Sequence, residues 1–298
     1  MKTIKKYTTP IRSLLRAASD AVQHPEVLTN EEDFNEKDLL VLEKKYDLSG
    51  DLEEVHNYTY DEQGRLLLHL LEIPSDGISE RFVTTRNANG NPTVIVKFYG
   101  EDPGEKTEYE YGTNAEVVKI IRYDADGELE ANEELEYDDQ ARAIARKIIS
   151  PSDGTKTFRF SYDENSRLIK EEDFDENDNL EGYVELDYDE EGRETYVSRF
   201  NAESKMISQQ LSEYDDLGRL LRRFAKSSQI RITSFVYDEQ GRVIEESLSD
   251  QNDFVFSRTR LSYDEDGRIA EETIYETDLT RSGRDTHLSN RYEYILME

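Results

Sequence analysis

Tyr237-Asp238-Glu239-Gln240-Gly241-Arg242 reads YDEQGR, and near-copies return along the chain: YDEQGR from Tyr60, YDADGE from Tyr123, YDEEGR from Tyr188, YDDLGR from Tyr214 and YDEDGR from Tyr263. The word is an aromatic, an aspartate, two variable residues, a glycine and usually an arginine. Self-similarity at a fixed period marks a repeat architecture before any single residue is interpreted.

Working outward, clear copies begin at Tyr137, Tyr162, Tyr188, Tyr214, Tyr237 and Tyr263, 23 to 26 residues apart. Degraded copies lie halfway between: FDENDN begins at Phe174 and FNAESK at Phe200, and Phe224 and Leu248 hold the same offset. The unit is therefore a half-repeat of about 12 to 14 residues, one strand plus one turn, as in all-β chains. Aspartate accepts a hydrogen bond from backbone two residues on, and glycine supplies the positive φ of a short hairpin loop. This assigns turn roles to Asp61 and Gly64, Asp124 and Gly127, Asp189 and Gly192, Asp215 and Gly218, Asp238 and Gly241, and Asp264 and Gly267. Ala141 and Ser166 stand at the glycine place, where a Cβ makes positive φ costly. Their turns are expected to be strained or differently shaped.

Between the turns the chain alternates with period two. Phe158, Phe160 and Tyr162 fall on one face and Thr157, Arg159 and Ser161 on the other, which suits a half-exposed antiparallel strand. Hydrophobic and charged residues each make up 35% of the chain, and mean hydropathy is -0.86. That balance would mean disorder without a pattern. With 19 Tyr and 11 Phe in regular strands, it means a wide sheet with a thin core, because tyrosine packs its ring while its hydroxyl stays wet.

The N-terminus differs. Lys2, Lys5, Lys6, Arg12 and Arg16 precede the first acid, Asp20; Thr9-Pro10 suits a helix start, and Ile11, Leu14, Leu15, Ala18 and Val22 recur at helical spacing. The expected architecture is all-β: an extended or curved antiparallel meander of hairpin repeats with a short N-terminal α-helix. Residues 1–36 form the basic amphipathic helix and linker as a cap, 37–277 the repeat sheet, and 278–298 a C-terminal cap strand ending in RYEYILME.

The phrase resembles the YD repeat of the Rhs (rearrangement hot-spot) family, over most of Tyr46 to Tyr275. The resemblance implies a bacterial protein whose long antiparallel ribbon curves into a shell, commonly around a toxic polypeptide. It carries over turn and strand positions only. No end plug, core segment or toxin is recognisable. Asp102-Pro103-Gly104 is similar to the ending of the Rhs core but reads as a simple hairpin turn.

Chemistry has little foothold. His24, His56, His69 and His287 are scattered, and HExxH, GxSxG, phosphate-loop and GxGxxG motifs are absent. With 68 acids in 298 residues, a carboxylate pair means nothing without geometry. Asp173, Asp175, Asn177 and Asn179 imitate a calcium loop, but Asp178 and Val184 stand where Gly and Glu belong. No catalytic residue, cofactor or metal is expected. Arg65, Arg193, Arg219, Arg242 and Arg268 recur in one phase, which suits a register lock between strands or a ligand-binding ladder.

Cysteine is absent and the net charge is -31. Such a surface repels nucleic acid and anionic lipid and attracts basic proteins. No apolar run of helical membrane length or signal peptide is evident, so no membrane span and a cytoplasmic location are expected. The functional expectation is a non-enzymatic scaffold binding a basic protein through an acidic, aromatic-rich sheet, with a toxin-associated, immunity or chaperone-like role. The alternatives are a carbohydrate-binding or carbohydrate-active protein and a purely structural spacer.

Overall fold

The computed structural model describes residues 2–12, 22–23, 25–277 and 285–296. Every element among them is a strand: β1 (Lys2–Arg12), β2 (Val22–Gln23), β3 (Val27–Phe34), β4 (Leu40–Tyr46), β5 (Leu52–Tyr60), β6 (Leu66–Ile73), β7 (Ile78–Arg86), β8 (Pro92–Tyr99), β9 (Asp102–Tyr111), β10 (Val117–Tyr123), β11 (Leu129–Tyr137) and β12 (Ala143–Ser150). The remainder are β13 (Gly154–Tyr162), β14 (Leu168–Phe174), β15 (Leu180–Tyr188), β16 (Glu194–Asn201), β17 (Met206–Tyr214), β18 (Leu220–Lys226), β19 (Ile230–Tyr237), β20 (Val243–Ser249), β21 (Val255–Tyr263), β22 (Ile269–Glu276) and β23 (Thr286–Leu296). Aromatic and β-branched residues make each segment a strand, and the Asp-x-x-Gly words reverse the chain between them.

The chain divides into two compact units, residues 1–55 with 210–298, and residues 56–209. In the second, β6 to β16 form an antiparallel ladder in sequence order. In the first, β18 to β23 run in order; β1 then sits between β23 and β3, and β4 follows. Register shifts recur just after the turns. Tyr162 opposes Leu168 while Ser161 opposes Lys170, so Ile169 is an extra residue, and Ile244 is extra in the same way. These are β-bulges, which increase local twist.

The open-meander expectation is corrected. The strands form one 23-stranded sheet whose order closes through β1, paired with β23 on one side and β3 on the other. This is the connectivity of a closed antiparallel β-barrel. An unpaired first and last strand would expose a row of N–H and C=O groups, and joining them satisfies both.

The N-terminal helix is corrected too. Thr9 and Pro10 lie in β1 opposite Ser289 and Leu288, and Ile11 opposes Gln23. Thr3, Ile4, Tyr7, Thr8 and Thr9 favour a strand locally, and this outweighs the helical spacing of Ile11 onward. Leu14, Leu15 and Ala18 lie outside the described residues. Asp102-Pro103-Gly104 opens β9 with Pro103 opposite Phe98; the reversal itself falls at Gly100, whose N–H meets the Ser79 carbonyl.

The expectations of no membrane span and of a cytoplasmic location are also corrected. Both rested on searching for apolar runs of helical length. A closed antiparallel ladder satisfies its backbone internally and can cross a bilayer by strands. Among the described residues no helix is long and apolar enough to cross a membrane, which says nothing of a β-barrel.

Among the described residues, contacts between elements join ladder neighbours only, so no second layer of described elements covers the strands. The burial pattern follows. Among the described residues Val184 is the one buried hydrophobic, whereas Thr3, Thr8, His56, Glu133, Ser198, Ser212 and Asn290 are buried polar residues. Stability therefore rests on ladder hydrogen bonds and cross-strand side-chain pairs instead of a packed apolar centre.

Candidate functional site

The YD words build one repeated device. In the β5–β6 turn Asp61 Oδ1 accepts the backbone N–H of Gln63 and of Arg65, both at 2.9 Å, and Oδ2 accepts Arg65 Nε at 2.6 Å. The Gly64 N–H closes the turn on the Asp61 carbonyl. The same clip joins Asp138 to Arg142, Asp163 to Arg167, Asp189 to Arg193, Asp215 to Arg219, Asp238 to Arg242, and Asp264 to Arg268. The backbone N–H of the following arginine is the main cause holding the Asp61, Asp163, Asp215 and Asp264 carboxyls below the usual range.

Four of these arginines then lie over the tyrosine of the next word. The guanidinium carbon is 4.8 Å from the ring centre for Arg142 over Tyr162 and for Arg167 over Tyr188, 4.6 Å for Arg219 over Tyr237, and 4.3 Å for Arg242 over Tyr263. Those tyrosine hydroxyls donate to the carbonyls of Ala143, Leu168, Leu220 and Val243, each the residue just after the covering arginine. Burial raises the pKa of the Tyr162, Tyr188 and Tyr237 phenols. The recurring arginines thus act as a lateral lock, with charge and ring both spent inside the sheet.

Glycine is favoured at the fourth turn position because φ is positive there, +82° at Gly192 and +84° at Gly241. Ala141 and Ser166 take the same conformation, at +59° and +63°, with the same closing bonds. Their turns keep the shape and carry the strain. Asp124 and Gly127 form the same turn, but Glu128 replaces the arginine and only the backbone part of the clip remains.

The structure places the twelve turn residues at six separate hairpins without gathering them into one pocket. The calcium-like stretch is spent on its own turn: Asp175 accepts the backbone N–H groups of Asn177 and Asn179 and the Asn179 side-chain amide. Among the described residues no group of three or more His, Asp or Glu could hold a metal ion.

Sequence reading missed three arrangements that need register. Glu133, 2% exposed, is bracketed by Arg146 at 2.8 Å and by Arg122. Burial opposes its ionisation, but those hydrogen bonds prevail and lower its pKa. At the β1–β23 seam, Asn290 accepts from Thr8 and donates to Glu272, which also accepts the Tyr292 hydroxyl. In the third arrangement His56 Nδ1 and His69 Nε2 meet at 2.9 Å, and His69 stacks between Tyr58 and Phe82. Spacing of the hairpin words was the signal that could have paired these histidines across strands.

No family model matches the chain, and no curated protein matches it. Among solved structures it is similar to TcdB2-TccC3-Cdc42, with a TM-score of 0.38 and 13% identity over 99% of this chain; the chain spans 18% of that one. It is also similar to a porin-like protein from Bacteroides uniformis, with a TM-score of 0.33 and 9% identity, covering 98% of this chain and 96% of that one.

Proposed function

We propose that the chain is a short YD-repeat protein that works as a non-enzymatic scaffold and binds a basic polypeptide. The supporting observation is a division of labour inside the turns. Aspartates and arginines of the clips neutralise one another, whereas the acids at the middle positions, including Glu62, Asp139, Glu164, Glu190, Glu239 and Glu265, are exposed. Combined with a net charge of -31, these rows favour a cationic partner and raise its association rate at low salt. The YD words themselves support a toxin-associated or chaperone-like setting, by analogy of repeat type.

Affinity capture from the native source at low salt, with retained proteins identified and their binding remeasured with purified material, tests the reading. A basic partner whose binding weakens with added salt and with the charge reversals E190K and E239K is expected. Failure to retain any protein, or a partner indifferent to those substitutions, would overturn it.

A further inference from the structure

One place on the sheet runs against the sign of the chain. Arg258 and Arg260 of β21, Thr273 and Tyr275 of β22, and His287 of β23 line a cavity of about 270 Å³. Register brings them together: Arg258 opposes Tyr275, Arg260 opposes Thr273, and Tyr275 opposes His287. Directly opposed residues of an antiparallel ladder share a face. Two guanidinium groups, an imidazole and two hydroxyls therefore converge, and among the described residues no carboxylate lines the cavity. In a chain with 68 acids against 37 Lys and Arg, such a lining opposes the composition.

Two carboxylates border this lining, and their contacts leave donors over. Glu245 meets Arg260 Nε at 2.7 Å and Arg258 Nε at 3.4 Å. Asp285 accepts the Tyr275 hydroxyl at 3.0 Å, and that hydroxyl also accepts from Thr277. Glu245 thus orients the Arg260 fork through Nε and attracts Arg258 by charge alone, and among the described residues no hydrogen bond engages the Nη groups of either arginine. Arg258 Nε is itself shielded from solvent and lacks an aligned acceptor. Planar guanidinium forks beside a hydroxyl and an imidazole match the oxygens of a tetrahedral oxyanion.

We propose that this cavity binds a phosphate-type oxyanion, with Arg258 and Arg260 taking its oxygens, Thr273 and His287 donating to it, and Tyr275 forming a wall. The proposal stands apart from the scaffold reading, since it concerns an anion and uses none of the exposed turn acids. Free phosphate and a phosphomonoester share this chemistry.

Nuclear magnetic resonance titration of the full ¹⁵N-labelled chain separates them, with inorganic phosphate in one arm, O-phosphoserine in the other, and ionic strength held with chloride. Saturable shifts centred on Arg258, Arg260, Thr273 and His287 are expected, with affinity falling about tenfold in R260Q. T273V, which leaves the Glu245 contacts alone, is expected to weaken binding as well, and unperturbed amide spectra away from the cavity certify the fold of both variants. Tighter binding of O-phosphoserine assigns a phosphomonoester; equal or weaker binding assigns free phosphate. Shifts that do not saturate through the millimolar range, shifts spread over the sheet, or wild-type binding by both variants would overturn the proposal.

Discussion

Between β11 and β22, turns that follow odd-numbered strands and the five-residue turns that follow even-numbered strands share a backbone but not a function within the fold. The β13–β14 turn, Asp163 to Arg167, and the β14–β15 turn, Asp175 to Asn179, both use the aspartate to hold two backbone N–H groups. Only the first ends in an arginine that returns to its aspartate and covers the next tyrosine. Among the five-residue even turns the corresponding residue is Asp51, Glu128, Asn179, Lys205 or Phe254. In the odd row the turn's own arginine stitches neighbouring hairpins laterally; the even row lacks that stitch, and in the β14–β15 turn the lateral tie comes instead from a strand residue, Arg159, which meets Asp178 and lies over Phe174. Turn geometry and turn cross-linking are therefore separate properties that the YD word happens to combine.

The largest effect that would break the comparison is expected from tyrosine removal. Tyr188→Ala should cost about 2–3 kcal/mol in urea unfolding, at the low end for a large aromatic because the ring is half-buried. Tyr188→Phe isolates the hydroxyl bond to the Leu168 carbonyl and should cost about 1 kcal/mol. If Tyr188→Phe unfolds at the same urea concentration as the parent, the hydroxyl contributes nothing to the stitching.

Removing the arginine asks the same of the other half. Arg167→Met should cost about 1 kcal/mol, whereas Asn179→Met in the neighbouring even turn should cost less. Equal losses would erase the distinction between the two rows.

Strain sharpens the comparison within the odd row. Ala141→Gly and Ser166→Gly should each stabilise by about 0.5–1 kcal/mol, and Gly192→Ala should destabilise by about 1 kcal/mol. A Cβ at Gly192 meets no atom closer than 3.6 Å, so backbone conformation alone is being measured. A neutral Gly192→Ala would show that positive φ costs little in this loop.

The smallest effect is the dependence on acid. Asp163, Asp215 and Asp264 have depressed pKa values, chiefly through the backbone N–H of the following arginine. A carboxyl depressed on folding stabilises above its unfolded value of about 3.9 and loses that contribution as pH falls through its folded value. Stability should thus hold from neutral pH to about 5 and decline below about 4. Combining Asp163→Asn, Asp215→Asn and Asp264→Asn should flatten that decline; an unchanged pH profile would place the acid sensitivity elsewhere, with Glu133 first in line.

The parts of the fold legible in the sequence are those encoded within one hairpin. Tyr188-Asp189-Glu190-Glu191-Gly192-Arg193 carries its own turn, clip and register, so neighbouring residues suffice to read it. Closure is different in kind. Thr8 meets Asn290 across 282 residues, and no local word announces that pairing. The helical spacing of Ile11, Leu14 and Leu15 concealed the strand preference of Thr3 to Thr9, because an amphipathic pattern reports which residues could share a helix face but not whether a partner strand is waiting. The oxyanion cavity was hidden for a related reason. Arg258, Thr273 and His287 come from three strands, and only the register of two ladders places them on one face.

The antiparallel joining of β1 and β23 sets Lys2 directly across from Leu296. Any polypeptide attached ahead of the first strand and any attached behind the last would leave from adjacent points on one rim. Two tethered cargoes, or a cargo and an anchor, would stand side by side there, and a short peptide bridging the two positions would turn the ladder into a covalent ring that could be reopened at a different hairpin.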